Sequence, residues 1–478
     1  MIKVHRLMLK LFVIIFAFAY TNAQVIVVNS NLDDPAVDVT IGAATAGGVI
    51  TLRSAIEFAN HLGGANTINF DIAGTGPFTI DVGTGTGVTG EPLPEITSSL
   101  TIDGYSQPGT TVATCSSCTP ITLLPATIFI VLNGSNVDSG AITLQNGLTL
   151  IAGSASSVIQ GLVIQGFPND GIAILGDSNQ KIAGNFIGLN QAGTSAVPNG
   201  GNGITISALA TGVTVGSIVT ADKNVISGQD ALNRPFTGNG ILIEGSGNQI
   251  VNNFIGTDLT GANSIPNRTG VYVLNTTTTS ASNNIIKCNT IQNNNGSGAL
   301  EGFGVVIDGA QNNPILSNSI FANAKSGILL NDNGNANLPA PTLTSAVASG
   351  STIKVNGSYS SPANPNSIFR IEFFVNPTSR TDITEGKTFV GEVTLTTDGS
   401  GNASFTNIRL PSTANPGQFV SATATLLNAV DTAVDTSAYS TDIVLGTGTS
   451  EGTLSVAIYS KYCNRNDLPC CPTSATSV

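Results

Sequence analysis

Between residues 141 and 335 the acidic side chains are Asp170, Asp177, Asp222, Asp230, Glu244, Asp258, Glu301, Asp308 and Asp332, and the basic ones are Lys181, Lys223, Arg234, Arg268, Lys287 and Lys325. An elimination chemistry on acidic sugars would need several of these acids on neighbouring turns to hold Ca²⁺. It would also need an Arg or Lys of lowered pKa as base. No acid recurs in a fixed register, and Asp258 with Arg268 is the most suggestive pair. Its plain alternative is a solvated loop pair worth under about 1 kcal/mol. Asp222-Lys223 has the same standing, and Asp33-Asp34 is expected in a turn. Hydrolysis by clustered carboxylates with a Gly-His-Gly motif finds no such motif, and His61 is the sole histidine once His5 leaves with the leader. Cys115-Ser-Ser-Cys118 lacks a second Cys pair or a His at zinc spacing, so a local disulfide is the expectation, while Cys288 is expected to be buried. No nucleophile elbow and no phosphate-binding glycine loop is present. Trp is absent, and Tyr272 is read as packing rather than as a sugar platform. The sequons at Asn133 and Asn267 matter only in a glycosylating host. No catalytic, cofactor-binding or metal-ligating residue is therefore assigned. Ca²⁺ enters only under the elimination alternative.

The elements that would hold such groups repeat. Gly-led strands start at Gly171, Gly203, Gly240, Gly270, Gly304 and Gly327, and Asn-led ones at Asn185, Asn224, Asn253, Asn284 and Asn318. One period takes about 23 to 37 residues and holds at least two short strands, so helices have no room. Each strand alternates, and no single coil can bury its apolar face alone. Stacked about 4.8 Å apart, the strands gain parallel partners above and below. The expected fold is an all-β parallel β-helix, with the Asn residues in turns forming side-chain ladders. Longer segments, Gly188 to Asn202 and Gly256 to Thr269, leave from one corner.

The outer regions read differently. Lys3, Arg6 and Lys10 precede an apolar run, Leu11 to Ala19, and Thr21-Asn22-Ala23 offers a cleavage site, so residues 1–23 are expected as a signal peptide. Removing it leaves 14 basic against 29 acidic residues, about −15. That balance argues against nucleic acid and anionic membranes and disfavours strongly acidic polysaccharides. Residues 24–140 are expected to hold the cap and first coils. Leu52, Ala55, Ile56 and Ala59 mark a short capping helix with Thr51 and Ser54 at its start. Residues 141–335 are the regular coils and 336–341 a Pro-containing linker. Residues 342–445 show about seven strand-like runs, the last over 436–444, as in an immunoglobulin-like sandwich. Residues 446–478 are expected as a weakly ordered, Cys-containing tail.

Thr51-Leu-Arg-Ser-Ala-Ile56, Asn66 to Phe70, Ile102 to Gly109, Gly184 to Gly188 and Asn253 to Gly261 resemble bacterial secreted right-handed parallel β-helix repeat proteins with a CSLREA-type N-terminal element. Here Ser54 replaces the usual Glu, and the preceding Cys is missing. Phe369 to Pro377 and Gly399 to Phe405 are similar to the module that often follows such helices. The resemblance implies a right-handed β-helix followed by an Ig-like sandwich. It also implies a secreted or cell-surface, adhesin-like protein whose partners are polysaccharides or surface ligands, with no membrane span. The alternative is a Ca²⁺-dependent polysaccharide lyase or another polysaccharide-degrading enzyme.

Overall fold

The computed structural model describes residues 23–118, 121–138, 140, 145–229, 237–276 and 280–448. The expected signal peptide, most of the tail with Cys463, Cys470 and Cys471, and Asp230 and Arg234 lie outside the described residues.

Three all-parallel sheets of nine, eight and seven strands run the length of the solenoid. Each coil visits them in turn, giving a right-handed parallel β-helix. A regular coil thus holds three strands, as in Lys181–Ala183, Phe186–Ile187 and Ile204–Ile206. The alternation of each strand becomes a column down the stack. In the first sheet Ile26, Ile68, Ile102, Ile159, Ile182, Val215, Ile250, Ile286 and Ile315 occupy one register line, and all are buried. The second sheet contributes Ile164, Ile187, Ile226, Ile255, Ile291 and Ile320 in the same way.

The recurrent Gly opening each third-sheet strand is required by space. A Cβ on Gly240 would lie 2.7 Å from the Gly270 carbonyl oxygen and 2.8 Å from Ile255 Cγ2, and Gly171, Gly203, Gly270 and Gly304 are equally crowded. Gly240→Ala is therefore expected to lower stability by about 1–3 kcal/mol, through overpacking against the next coil. Gly399→Ala, where nothing lies within 4 Å, should leave the thermal midpoint where it is. Equal midpoints for the two variants would contradict this account.

Side-chain amides lock every corner. Between the first and second sheets Asn185, Asn224, Asn253, Asn289 and Asn318 form one ladder, each Nδ2 donating to the next Oδ1 at 2.9–3.1 Å. All are essentially inaccessible. Asn284, expected in that series, belongs to another ladder between the third and first sheets: Asn248, Asn284, Asn313 and Asn335. Asn284 and Asn289 each precede a short apolar strand, so the pattern alone favours neither. A further ladder, Asn199, Gln229, Asn267, Asn294 and Asn323, seals the corner between second and third sheets. It consumes the amide of the Asn267 sequon.

The N-terminal end is closed by the helix Leu52–Leu62, whose Thr51 and Ser54 form a reciprocal capping box. Leu52, Ala55, Ile56 and Ala59 join the solenoid core. Asp33, expected in a turn, is instead buried against Arg53 at 2.8 Å.

At the other end lies a mostly antiparallel sandwich, whose first and last strands pair in parallel. Its strands are Thr342–Ser349, Thr352–Ser360, Ile368–Asn376, Thr388–Thr396, Asn402–Pro411, Phe419–Leu427, Ala433–Thr436 and Ile443–Thr447. The expected run over 436–444 is therefore two strands with an irregular stretch between, and pairing continues to Thr447 opposite Ala348. Within the expected linker, Leu338 is buried in the sandwich core, and just before it Asn335 ends an amide ladder.

Candidate functional site

Several candidate charges among the described residues have a local use. Asp258 accepts from Thr260, Ala262 and Asn263 within its own loop. Burial pushes its carboxyl up, but the bonds from Asn263 and Thr260 outweigh this and hold it below the usual range. Arg268 does not meet it and pairs with Glu301 at 3.5 Å. The expected Asp258–Arg268 site is therefore not assembled, because the loop's own amides satisfy the carboxylate first. Asp222 and Lys223 also turn apart. Asp222 reaches Lys181 of the preceding coil at 2.8 Å. Lys223 donates to the carbonyl and side chain of Asn252 at 2.8 and 2.6 Å and sits 4.1 Å above the Phe254 ring.

Asp170 substitutes for Asn in a fourth polar column, with Asn146, Asn202 and Asn239, just before the third-sheet glycines. Burial drives its carboxyl upward, opposed by the Asn202 N–H at 2.7 Å. Sequence reasoning missed this column. Its signal was the Asn-Gly or Asp-Gly pair opening four of those strands. Tyr272 donates to Asp308 at 2.6 Å, and Asn331 donates to the other carboxylate oxygen. Lys325 is spent on the carbonyls of Gly298 and Ala299. Glu244 is half-buried and raised by burial, and burial likewise lowers Lys287. Cys288, expected to be buried, is half-buried and disulfide-bonded. Among the described residues no three His, Cys, Asp or Glu side chains are placed to hold a metal ion, and no helix is long and apolar enough to cross a membrane.

The three outer faces differ. The segments at 188–202 and 256–269 fold back over the second sheet. Leu189, Ile265 and Leu259 pack there on the outward Val131, Val163, Phe186 and Val225. On the third sheet Leu242, Tyr272 and Val306 lie under Leu300 and Phe303, leaving a shallow pocket of about 120 Å³ beside Tyr272 and Glu301. Among the described residues the first sheet stays open. Its outward column runs Thr67, Thr101, Val158, Lys181, Thr214, Gln249 and Ile285 in strict register, and each of these is partly or fully exposed. Beside it stand Asn69, Asp103 and Gln160. Apart from Val158 and Ile285, and Lys181 paired with Asp222, the face offers hydroxyl and amide groups at the coil spacing, suited to hydrogen-bonding an extended polar chain.

No protein-family model matches the sequence, and no curated protein matches it. Solved structures do. Tailspike protein 2 from Escherichia coli O157:H7 bacteriophage CAB120 is 10% identical with a TM-score of 0.24, over 81% of this chain and 66% of its own. This chain thus spans just under two thirds of that tailspike's length. The A-module of the Azotobacter vinelandii mannuronan C-5 epimerase AlgE6 is 14% identical, TM-score 0.25, over 60% of this chain and 77% of its own. The gp49 tailspike of Acinetobacter baumannii bacteriophage Fri1, a capsular polysaccharide depolymerase, is 10% identical, TM-score 0.23, over 89% and 85%. The β-helix assignment rests on the strand register described above.

Proposed function

We propose that this is a secreted or cell-surface solenoid with an adhesive or structural role, binding glycan or surface polymers along the outer face of its first sheet. One observation carries the reading. Of the three faces, the second is roofed by its own loops and the third is largely apolar and covered. Among the described residues the first alone presents an open, mostly polar column across the stack. The basic start and apolar run of residues 1–23 support export. The terminal sandwich, read as an Ig-like module, closes the solenoid.

The test uses the full mature chain on a panel of neutral and acidic polysaccharides, with and without Ca²⁺. Binding to at least one is expected, without new reducing ends or unsaturated products. Replacing Thr101 and Thr214 with Val and Gln249 with Ala should weaken it about tenfold or more, since each lost hydrogen bond contributes roughly 0.5–1.5 kcal/mol. Binding unchanged in the triple variant would remove the assignment of this face. Product formation would overturn the non-catalytic reading.

A further inference from the structure

The last coil, with strands Ile315–Leu316, Ser319–Phe321 and Ile328–Asn331, has no following coil to accept its N–H groups. Bare edges of this kind are templates for unwanted strand pairing. Here the sandwich supplies the acceptors, and three are carboxylates. Asp435 accepts the Asn312 N–H at 2.7 Å. Glu372 accepts the Ser317 N–H at 2.8 Å and its hydroxyl at 3.0 Å. Glu385 accepts the Ala322 N–H at 2.7 Å. Between them the Thr436 hydroxyl takes the Ile315 N–H, and Gly386 exchanges both backbone bonds with Ile320. Phe374 and Tyr439 plug the apolar core of the coil, edge to face at 5.2 Å.

In the inner coils the equivalent N–H groups are met by backbone carbonyls of the next coil, as Cys288 N–H is by Leu316 and Asn252 N–H by Lys287. We propose that the junction is a proton-sensitive latch: Glu372, Glu385 and Asp435 hold the sandwich on the last coil when protonated and loosen it when ionised, uncovering the solenoid's end.

The surroundings favour that reading. Glu372 is fully enclosed, with Arg370 and Glu392 as its charged neighbours and Tyr439 packed nearby. Burial raises its carboxyl to about 7, against the opposing bond from Ser317. Glu385 faces Arg380, Lys387, Tyr439 and Asp442, and burial again raises it. Asp442, beside Asn376 and Ser379, is raised to about 6, chiefly by burial. Burial raises Asp435 too, with the Asn312 N–H opposing. A carboxyl whose folded pKa exceeds its unfolded value favours the folded arrangement below the unfolded pKa. It loses that contribution as pH rises through the folded one. The docked state is thus tightest below the ordinary Glu range of about 4.5, weakens as pH rises from there, and has lost this contribution once pH has passed about 7.

Amide hydrogen exchange on the full chain tests this. After correction for intrinsic rates, protection at Ser317 and Ala322 should fall by about tenfold or more between roughly pH 5.5 and pH 8.5, since each pKa unit is worth a factor of ten. Protection at Ile226, in an inner coil, should hold. Glu372→Gln with Glu385→Gln keeps one acceptor oxygen at each site for the backbone N–H, in a group that cannot ionise, and should flatten the profile. Glu392→Gln removes a like charge beside Glu372 and should move the wild-type midpoint to lower pH. A flat wild-type profile, a fall of equal size in the double Gln variant, or a midpoint unmoved by Glu392→Gln would each overturn the latch.

Discussion

Ile255→Asp should abolish cooperative folding of the central coils. Ile255 is wholly inaccessible and stands in register between Ile226 and Ile291. Its Cγ2 is also one of the atoms that crowd out a Cβ on Gly240. The substitution removes an apolar side chain worth about 1.5–3 kcal/mol of burial. It then places a carboxyl with no polar partner in the core, at a further cost of several kcal/mol. Against the roughly 5–15 kcal/mol that stabilises a typical domain, this is decisive. In a stack where each coil leans only on its neighbours, the damage starts locally. Exchange should therefore speed up first between residues 224 and 292, and the thermal transition should broaden or vanish. Thr214→Asp, on the outward column of the first sheet, should change stability little. A melting curve for Ile255→Asp identical to wild type would show that the inward column is misassigned.

That column was legible because period two and a Gly or Asn start are local signals. Ile174 and Ile255 can be placed inward from sequence, and the structure buries both. The capping helix was legible for the same reason, since Leu52, Ala55, Ile56 and Ala59 share one face. The ladders were half legible. Asn-led strands announce that amides stack, but Asn284 and Asn289 offer the same local pattern. Only the pairing of Ile285–Lys287 with the first sheet and Thr290–Gln292 with the second separates them.

Partner choice was not legible. Asp258 lies ten residues from Arg268, yet five nearer donor contacts claim its carboxylate, and Asp222 takes Lys181 one coil away instead of its neighbour Lys223. The carboxylates at the solenoid's end were invisible for a related reason. Glu372, Glu385 and Asp435 look like ordinary strand and loop acids until the sandwich is docked. Their partners, Ser317, Ala322 and Asn312, are 55, 63 and 123 residues away. The openness of the first sheet was equally hidden, because it depends on where the long loops fold and not on the strands beneath them.

Arg53→Ala should open the other end. The guanidinium is enclosed, and its donors reach both Asp33 carboxylate oxygens and the carbonyls of Asp33, Glu91 and Pro92 at 2.8–3.1 Å. Asp33 in turn accepts the Gly83 N–H at 2.7 Å, so one ion pair ties the helix, the first turn and the second coil together. Burial already raises the Asp33 carboxyl despite the Arg53 contact. With Arg53 gone, that carboxylate is buried and unpaired, and breaking such a pair costs about 3–5 kcal/mol. The loss should be partly relieved in acid, where Asp33 takes up a proton. It should be smaller for the double variant Arg53→Met with Asp33→Leu, which removes both charges. Limited proteolysis should then cut within 25–103 while the coils beyond 240 resist. An Arg53→Ala protein with wild-type stability and no protease-sensitive N-terminal region would mean that the helix is held by its apolar face alone.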